Sequence, residues 1–330
     1  MSSRFSSIRA TWKNSRLSNL DLPDSFAVMS ARVWIRRLRS SSARFMVFLL
    51  KTVGYLPRRI ILLLGIVAGW LLYSSNRKRR NIASKNLEIC FPHWPVEKRR
   101  QVVRRHFRHF GQAILDLGMI WSASNDRLNR WVNLTGLDHC LRAQKDGRSI
   151  ILITPHVIAV DMAAVILSQH IPLCTIMKDL RNPVFNEQVI SGRSRFNLRI
   201  YKRVGGIGRM VRDLRRKRNC YYIPDQDLGT RNSVFVPFFG VQTATLSTLD
   251  RMARLGDAVV MPTYAYLDPN TGRYEITIKP PLPNFPTDNP QTNARLMNSA
   301  FEDIIYPAPE QYMWTLRWFR TRPENGPPLY

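Results

Sequence analysis

A histidine followed five residues later by an aspartate, His156 and Asp161, forms the pair of side chains best suited to acid–base chemistry in this sequence. Inside one α-helix the two side chains would point about 140° apart and would not meet. They can meet if His156 lies in the turn after a strand and Asp161 in the first turn of the next helix. In that arrangement the carboxylate orients the imidazole, and the second ring nitrogen is free to take a proton from a hydroxyl.

The sequence around the pair predicts this arrangement. Residues 149–154 form a short apolar run that is typical of a buried strand, and Pro155 ends it. Residues 159–169 then read as a helix, so His156 falls at the end of a strand, where α/β sheets place their ligands. The remaining histidines are interpreted as structural: His93, His106, His109, His139 and His170.

Two further segments contain residues that suit the same site. Asp225 and Asp227 directly follow an apolar run that ends at Ile223, although a solvated turn would have the same composition. Arg193 and Arg195 can bind a phosphate or an oxyanion through forked hydrogen bonds, although a surface role is the alternative in so basic a chain.

Charge and cysteine content restrict the class of protein. The chain has 330 residues and a net charge of +27, and 45% of its residues are hydrophobic, enough to bury a core. The charge predicts a polyanionic partner: nucleic acid, anionic lipid or an acidic protein. The four cysteines lie far apart in the sequence, which excludes a Cys-based zinc site and favours a reducing compartment.

The basic residues concentrate around one apolar stretch. Residues 1–80 hold 16 Lys and Arg against two Asp, and within them residues 60–76 carry no charge. That length is at the short end of the roughly 17–25 residues that span a bilayer, and a buried core helix is the alternative. Basic residues on both sides favour a membrane but give no orientation. We therefore predict three regions. Residues 1–40 are a basic N-terminal lead segment that is disordered or lies on a surface, residues 41–76 are a membrane-anchor region, and residues 77–330 are a catalytic domain.

The rest of the chain predicts an α/β fold. Residues 96–121 have apolar side chains at helical spacing within a mostly helical stretch from 79 to 137. Strands are expected at 149–154, 174–177, 220–223, 258–261 and 274–278, with helices between several of them. Alternating strands and helices favour a layered domain with a central, mostly parallel sheet.

Several ordered blocks of sequence resemble one known family. They comprise Asn86-Leu87, Cys90-Phe91-Pro92, the His156 to Asp161 pair, Asn182-Pro183, Arg193 to Phe196, Pro224 to Asp227, Phe235 to Phe239, Pro309 to Trp314 and Thr321 to Pro323. Over residues 75–323 the chain resembles the bacterial late acyltransferases of lipid A biosynthesis, the lauroyl and myristoyl transferases within the wider lysophospholipid acyltransferase group.

The resemblance implies a single anchor in the bacterial inner membrane and a catalytic domain on its cytoplasmic face. It further implies transfer of a fatty acyl chain from acyl carrier protein to a hydroxyl of a phosphorylated lipid A precursor. No metal or bound cofactor is expected, because a base-activated hydroxyl can attack a thioester directly.

The same resemblance implies roles for the candidate residues. His156 is the expected base and Asp161 its orienting group, and Arg193 is expected to stabilise the oxyanion or to bind a lipid phosphate. A second group, expected to bind substrate or to shape its site, comprises Arg195, Asp225 and Asp227.

Two alternatives remain at this stage. The acceptor could be another lipid, such as a lysophospholipid or a glycolipid. The chain could also be a basic membrane-surface or nucleic-acid-binding protein without activity. Nucleic acid is the less favoured partner, since the sequence contains no recognisable nucleic-acid-binding module.

Overall fold

The structure, a computed structural model, describes residues 41–324 and 326–330, so the predicted lead (1–40) lies outside the described residues. Residues 43–330 form one compact unit. The helices are α1 (Arg58–Ser75), α2 (Arg77–Cys90), α3 (Val96–Ser122), α4 (Asn125–Asn129), α5 (Leu137–Lys145), α6 (Val160–His170), α7 (Pro183–Arg193), α8 (Gly206–Arg215), α9 (Thr248–Gly256) and α10 (Pro290–Ile305). Residues 41–54 are also helical.

Nine strands form two sheets in this part of the chain. They are β1 (Val132–Thr135), β2 (Ser149–Ile153), β3 (Leu173–Met177), β4 (Leu198–Lys202), β5 (Asn219–Tyr222), β6 (Ser233–Phe238), β7 (Val241–Leu246), β8 (Ala258–Leu267) and β9 (Tyr274–Ile278). The larger sheet has the order β1-β9-β8-β2-β5-β3-β4, and β6 and β7 form a separate antiparallel hairpin. Within the larger sheet only the β8–β9 pair is antiparallel. The predicted central, mostly parallel sheet is confirmed.

Strand β2 lies at the centre of this sheet and is buried on both faces. Ile150 and Leu152 join one hydrophobic cluster, and Ile151 and Ile153 join a second cluster on the other face. Helices cover both clusters, which explains why β2 reads as an uninterrupted apolar run. The centre of the sheet is therefore rigid, and a residue just beyond the end of β2 is held firmly.

Strands β1, β4, β6 and β7 were not predicted. Strand β1 falls in the stretch expected to be helical, and it has only four residues, whose burial alternates. Strand β4 is the other edge of the sheet, with exposed Arg199 and Lys202. Short edge strands with one solvated face lack the apolar run that identifies β2, because only half of their side chains are buried.

Helix α1 packs along α3 through glycines. Its buried residues include Ile61, Gly65 and Gly69, which recur at helical spacing on one face. A Cβ atom added at Gly69, or at Gly111 of α3, would overlap the backbone of the opposite helix. The backbones of the two helices are therefore in direct contact.

A buried ion pair ties the start of α1 to the domain. Arg58 Nη1 lies 2.5 Å from an Asp116 carboxylate oxygen, and both side chains are almost fully buried. The Tyr274 hydroxyl donates to the other Asp116 oxygen, and Arg58 Nε donates to the Gly272 carbonyl at 3.0 Å. Removing one member of a buried pair typically costs about 3–5 kcal/mol, so α1 is an integral part of the folded unit.

Candidate active site

The register between β2 and β5 brings His156 and Asp225 together. Ile153 pairs with Tyr222 across these neighbouring parallel strands, and His156 and Asp225 each lie three residues further along. The His156 backbone N–H donates to one Asp225 oxygen at 2.8 Å, and His156 Nδ1 makes a short hydrogen bond with the other. Both contacts fix the ring relative to the carboxylate and leave Nε2 as the nitrogen available to a substrate.

Burial and charge around His156 and Asp225 determine the pKa of the His156 imidazole. The Asp225 side chain is only 4% exposed, whereas the His156 side chain is 27% exposed and can be reached from outside. Burial lowers the pKa of His156, but the charge and hydrogen bond of Asp225 outweigh that effect, so the pKa is raised overall. The arrangement favours an imidazole that accepts a proton through Nε2 while Asp225 stabilises the resulting cation.

The orienting group predicted for His156 differs from the one observed. Asp161 does lie in the first turn of α6, as expected, but its carboxylate accepts a hydrogen bond from Arg193 Nε at 2.6 Å and forms an ion pair with Nη2 at 2.5 Å. Asp225, expected to bind substrate or shape the site, is the residue that contacts the His156 ring. The positive charge of Arg193 is close enough to lower the pKa of His156, so the Asp161–Arg193 pair borders the same site.

The Arg195 side chain binds backbone carbonyls and is not free to bind a substrate. Its guanidinium donates to the carbonyls of Ile120 and Ala123, at the C-terminal end of α3. Carbonyls at a helix end have no partner within the helix, and a cation there is favoured by the helix dipole. The observed contacts thus give Arg195 a structural role in capping α3, in place of the substrate contact that the sequence suggested.

Asp227 holds the C-terminal part of the chain. It is buried, and its two oxygens accept hydrogen bonds from the Thr321 backbone N–H at 2.6 Å and from the Thr321 hydroxyl at 2.7 Å. A third bond comes from the Gly229 N–H at 3.1 Å. These contacts fasten residues after the last helix against the loop that carries Asp225.

Replacing Asp227 with asparagine should destabilise the fold more than it changes substrate binding. The new amide group would face the donors of Thr321, and a buried donor left without an acceptor costs about 1–3 kcal/mol. We expect a lower thermal unfolding midpoint and faster proteolysis near the C-terminus. Asp257→Asn, at an exposed ion pair, is the matched control. An unchanged midpoint combined with a raised KM would instead indicate that Asp227 binds substrate.

A C-terminal segment, residues 312–318, also contacts His156 and Asp225. Met313 N–H donates to the His156 carbonyl at 2.9 Å, and the Tyr312 hydroxyl donates to Asp225 at 3.1 Å. The Trp318 ring lies 5.8 Å from the imidazole, centroid to centroid, and stacks on Tyr312. The motifs in the sequence did not single out Tyr312 or Trp318. The Pro309 to Trp314 block of the family resemblance contains Tyr312, and no block contains Trp318.

The assembled site combines a base, a cation paired with a carboxylate, and the aromatic rings of Trp318 and Tyr312 beside the imidazole. It lies at the carboxyl ends of β2 and β5, which is the edge where parallel sheets bind ligands. Across residues 41–324 and 326–330, no group of three or more His, Cys, Asp or Glu side chains is placed to hold a metal ion. These groups suit deprotonation of a hydroxyl beside a cation that can stabilise developing negative charge.

Comparison with known proteins agrees with this chemistry. Residues 33–321 match the family model described as bacterial lipid A biosynthesis acyltransferase. The chain is 36% identical over 286 residues to a lipid A biosynthesis acyltransferase of Haemophilus influenzae, covering 86% of this chain and 89% of that protein. It is also 32% identical over 307 residues to the lipid A biosynthesis lauroyltransferase of Escherichia coli K12, covering 93% and 98%. With the family model spanning most of its length, this chain belongs to the bacterial lipid A biosynthesis acyltransferases.

Proposed function

We propose that this O-acyltransferase moves a fatty acyl chain from an acyl carrier protein thioester to a hydroxyl of a lipid A precursor. The acceptor hydroxyl would belong to a 3-hydroxyacyl chain, so the product carries an acyloxyacyl group. The observation that supports this most directly is the contact between His156 and the buried Asp225, at the open edge of the sheet of a lipid A acyltransferase.

In the proposed reaction His156 acts as the general base. Its Nε2 takes the proton of the acceptor hydroxyl while the oxygen attacks the thioester carbonyl. The tetrahedral intermediate carries its negative charge on the former carbonyl oxygen. When the carbon–sulfur bond breaks, the imidazolium returns the proton to the leaving thiolate, so an ester and a free thiol are formed. Asp225 stabilises the imidazolium throughout.

Arg193 is the proposed stabiliser of the oxyanion, or of a lipid phosphate. Asp161 holds its guanidinium through a hydrogen bond from Nε and an ion pair with Nη2, both at one oxygen, and the two side chains remain partly exposed, at 22% for Arg193 and 27% for Asp161. A guanidinium positioned before the reaction needs little reorganisation as charge develops. Asp161 is therefore a positioning residue in this proposal, and it acts through Arg193.

Charge supports the proposed donor and location. Lys178 follows β3 and Arg203 follows β4, at the same edge of the sheet as His156, and Lys202 lies exposed at the end of β4. A basic surface beside the site suits an acidic carrier protein and a phosphorylated acceptor. We place the enzyme at the cytoplasmic face of the bacterial inner membrane, attached through the apolar surface that includes α1.

The test is to identify the product. The purified full-length protein in detergent micelles is incubated with acyl carrier protein that carries a lauroyl or a myristoyl thioester, and with a lipid A precursor. Mass spectrometry should show the precursor gaining one acyl chain in ester linkage. Acylation of a lysophospholipid supplied in parallel, without acylation of the precursor, would contradict the proposed acceptor. Transfer from acyl-coenzyme A but not from the carrier protein would contradict the proposed donor.

A further inference from the structure

The most extensive exposed apolar surface described here lies on α1 and on helical residues 43–54. Its exposed side chains, called here the apolar face, are Phe45, Met46, Phe48, Leu49, Tyr55, Ile60, Leu63, Leu64, Ile66, Val67, Trp70 and Leu71. Phe48, Leu63 and Trp70 are 66%, 63% and 66% exposed. So many exposed large apolar side chains on two neighbouring helical elements mark an interaction site.

Helix α1 has the length and composition of a membrane span, and it is the one such helix among the described residues. Its 18 residues extend about 27 Å, close to the roughly 30 Å thickness of the hydrocarbon core. Length alone therefore permits a crossing. Whether α1 crosses depends on its contacts, because any part of the protein that packs along a crossing helix must enter the bilayer with it.

The inner side of α1 is bound to the polar domain along most of its length. Near its start Arg58 pairs with Asp116, and Leu62 packs against Gly272 in a turn that contains exposed Asn270. Near its end Gly69 contacts the backbone of Arg108, whose side chain is exposed. A crossing α1 would carry this charged residue and the turn into hydrocarbon, where such groups are costly.

Residues 43–54 are attached in the same way. Their buried positions include Ala43, Val47 and Leu50, which recur along one helical face. Gly118 of α3 lies so close to the Leu50 carbonyl that a Cβ atom would overlap it. Both helical elements therefore pack against the same helix of the domain, and the apolar face lies on their exposed side.

The charges around the apolar face match an anionic lipid surface. Exposed Arg44 precedes Phe45, exposed Arg59 lies beside Ile60, and Arg77 and Lys78 follow the end of the face. Basic residues at both ends of an apolar stretch conflict with a helix whose ends face opposite sides of a membrane, because cytoplasmic ends carry the positive charge. They are expected when both ends remain on one side, next to anionic headgroups.

We propose that the apolar face inserts into only one leaflet of an anionic membrane, so that both ends of α1 stay on the cytoplasmic side. This deepens the membrane location given under Proposed function and rests on it. The protein is then bound within one leaflet, like an interfacial amphipathic helix, and no segment from 43 to 76 crosses the bilayer.

Labelling of single introduced cysteines tests the topology. Arg59→Cys and Ser75→Cys place thiols at exposed positions at the two ends of α1, and the four native cysteines are buried. A membrane-impermeant maleimide should label both variants in inside-out inner-membrane vesicles and neither in intact spheroplasts. Labelling of Arg59→Cys only from the spheroplast side, with Ser75→Cys labelled only from the vesicle side, would overturn the proposal.

A second experiment tests the apolar face itself. The double variant Leu63→Glu with Val67→Glu should bind vesicles of phosphatidylglycerol and phosphatidylethanolamine at least tenfold more weakly than the unchanged protein. Leu141→Glu with Leu255→Glu, at exposed leucines elsewhere, is the matched control and should bind normally. Unchanged binding of the first variant would refute the assigned face. Acyl transfer in micelles is measured in parallel, because its absence in the unchanged protein would refute the proposed function and leave the topology result standing.

Discussion

Replacing His156 with alanine should lower acyl transfer roughly 10²- to 10⁴-fold, the range that general-base catalysis usually contributes. The loss should appear in kcat, because without Nε2 the acceptor hydroxyl keeps its proton as it attacks. The side chain is partly exposed and its two backbone hydrogen bonds do not need the ring, so the fold should persist. Product formation by mass spectrometry and the thermal unfolding midpoint should be measured on the same preparation.

His170→Ala is the matched control for this change. His170 is exposed at the end of α6, away from the contacts described for the site, and its removal should leave the rate nearly unchanged. If His156→Ala kept more than about a tenth of the activity, the assignment of His156 as general base would be wrong.

Asp225→Asn should lower kcat/KM by roughly 10²- to 10⁴-fold and also change its pH dependence. The Asp225 charge raises the pKa of His156 against the opposite effect of burial, so its removal should lower that pKa. The base works only when it is neutral, and activity falls as pH drops through its pKa. The acidic limb of the profile should therefore move to lower pH. In addition, the asparagine amide can donate to Nδ1, which places the ring proton on Nε2 and blocks the base.

A purely structural role for Asp225 would lower activity without moving this limb, which is the outcome that would contradict the proposal. Asp227→Asn, two residues away, serves as the comparison, since its contacts lie with Thr321 and not with the imidazole. That variant should keep the acidic limb of the unchanged protein even where its thermal midpoint is lower.

The sequence predicts the strands that carry the site but not their register. Buried runs before His156 and before Asp225 identify β2 and β5, and both strands are found. Which residues meet depends on the order of strands in the sheet, and a single sequence does not show that β5 lies beside β2. Nearness along the chain favoured Asp161 as the partner of His156, whereas the parallel pairing of Ile153 with Tyr222 selects Asp225.

The partners of the charged side chains were also hidden from sequence analysis. Arg193 and Arg195 are two residues apart, yet one pairs with Asp161 and the other caps the end of α3. Both partners lie on other elements, and the choice between them follows from where α7 ends. The sequence likewise offered a core helix or a membrane helix for residues 60–76, and α1 has one buried face and one exposed apolar face.

The glycine contacts between α1 and α3 also bear on which hydroxyl is acylated. Since the two backbones touch at Gly69 and Gly111, α1 has no room to tilt or slide independently of the domain. If the outer side of α1 lies among lipid tails as proposed, the fold fixes the distance between those tails and the His156 imidazole. Such an enzyme distinguishes the hydroxyls of its acceptor by their distance from the lipid tails, because only a hydroxyl at the level of the imidazole can contact it. A change in the depth at which this outer side sits in the leaflet should then redirect acylation to a different position on the same lipid.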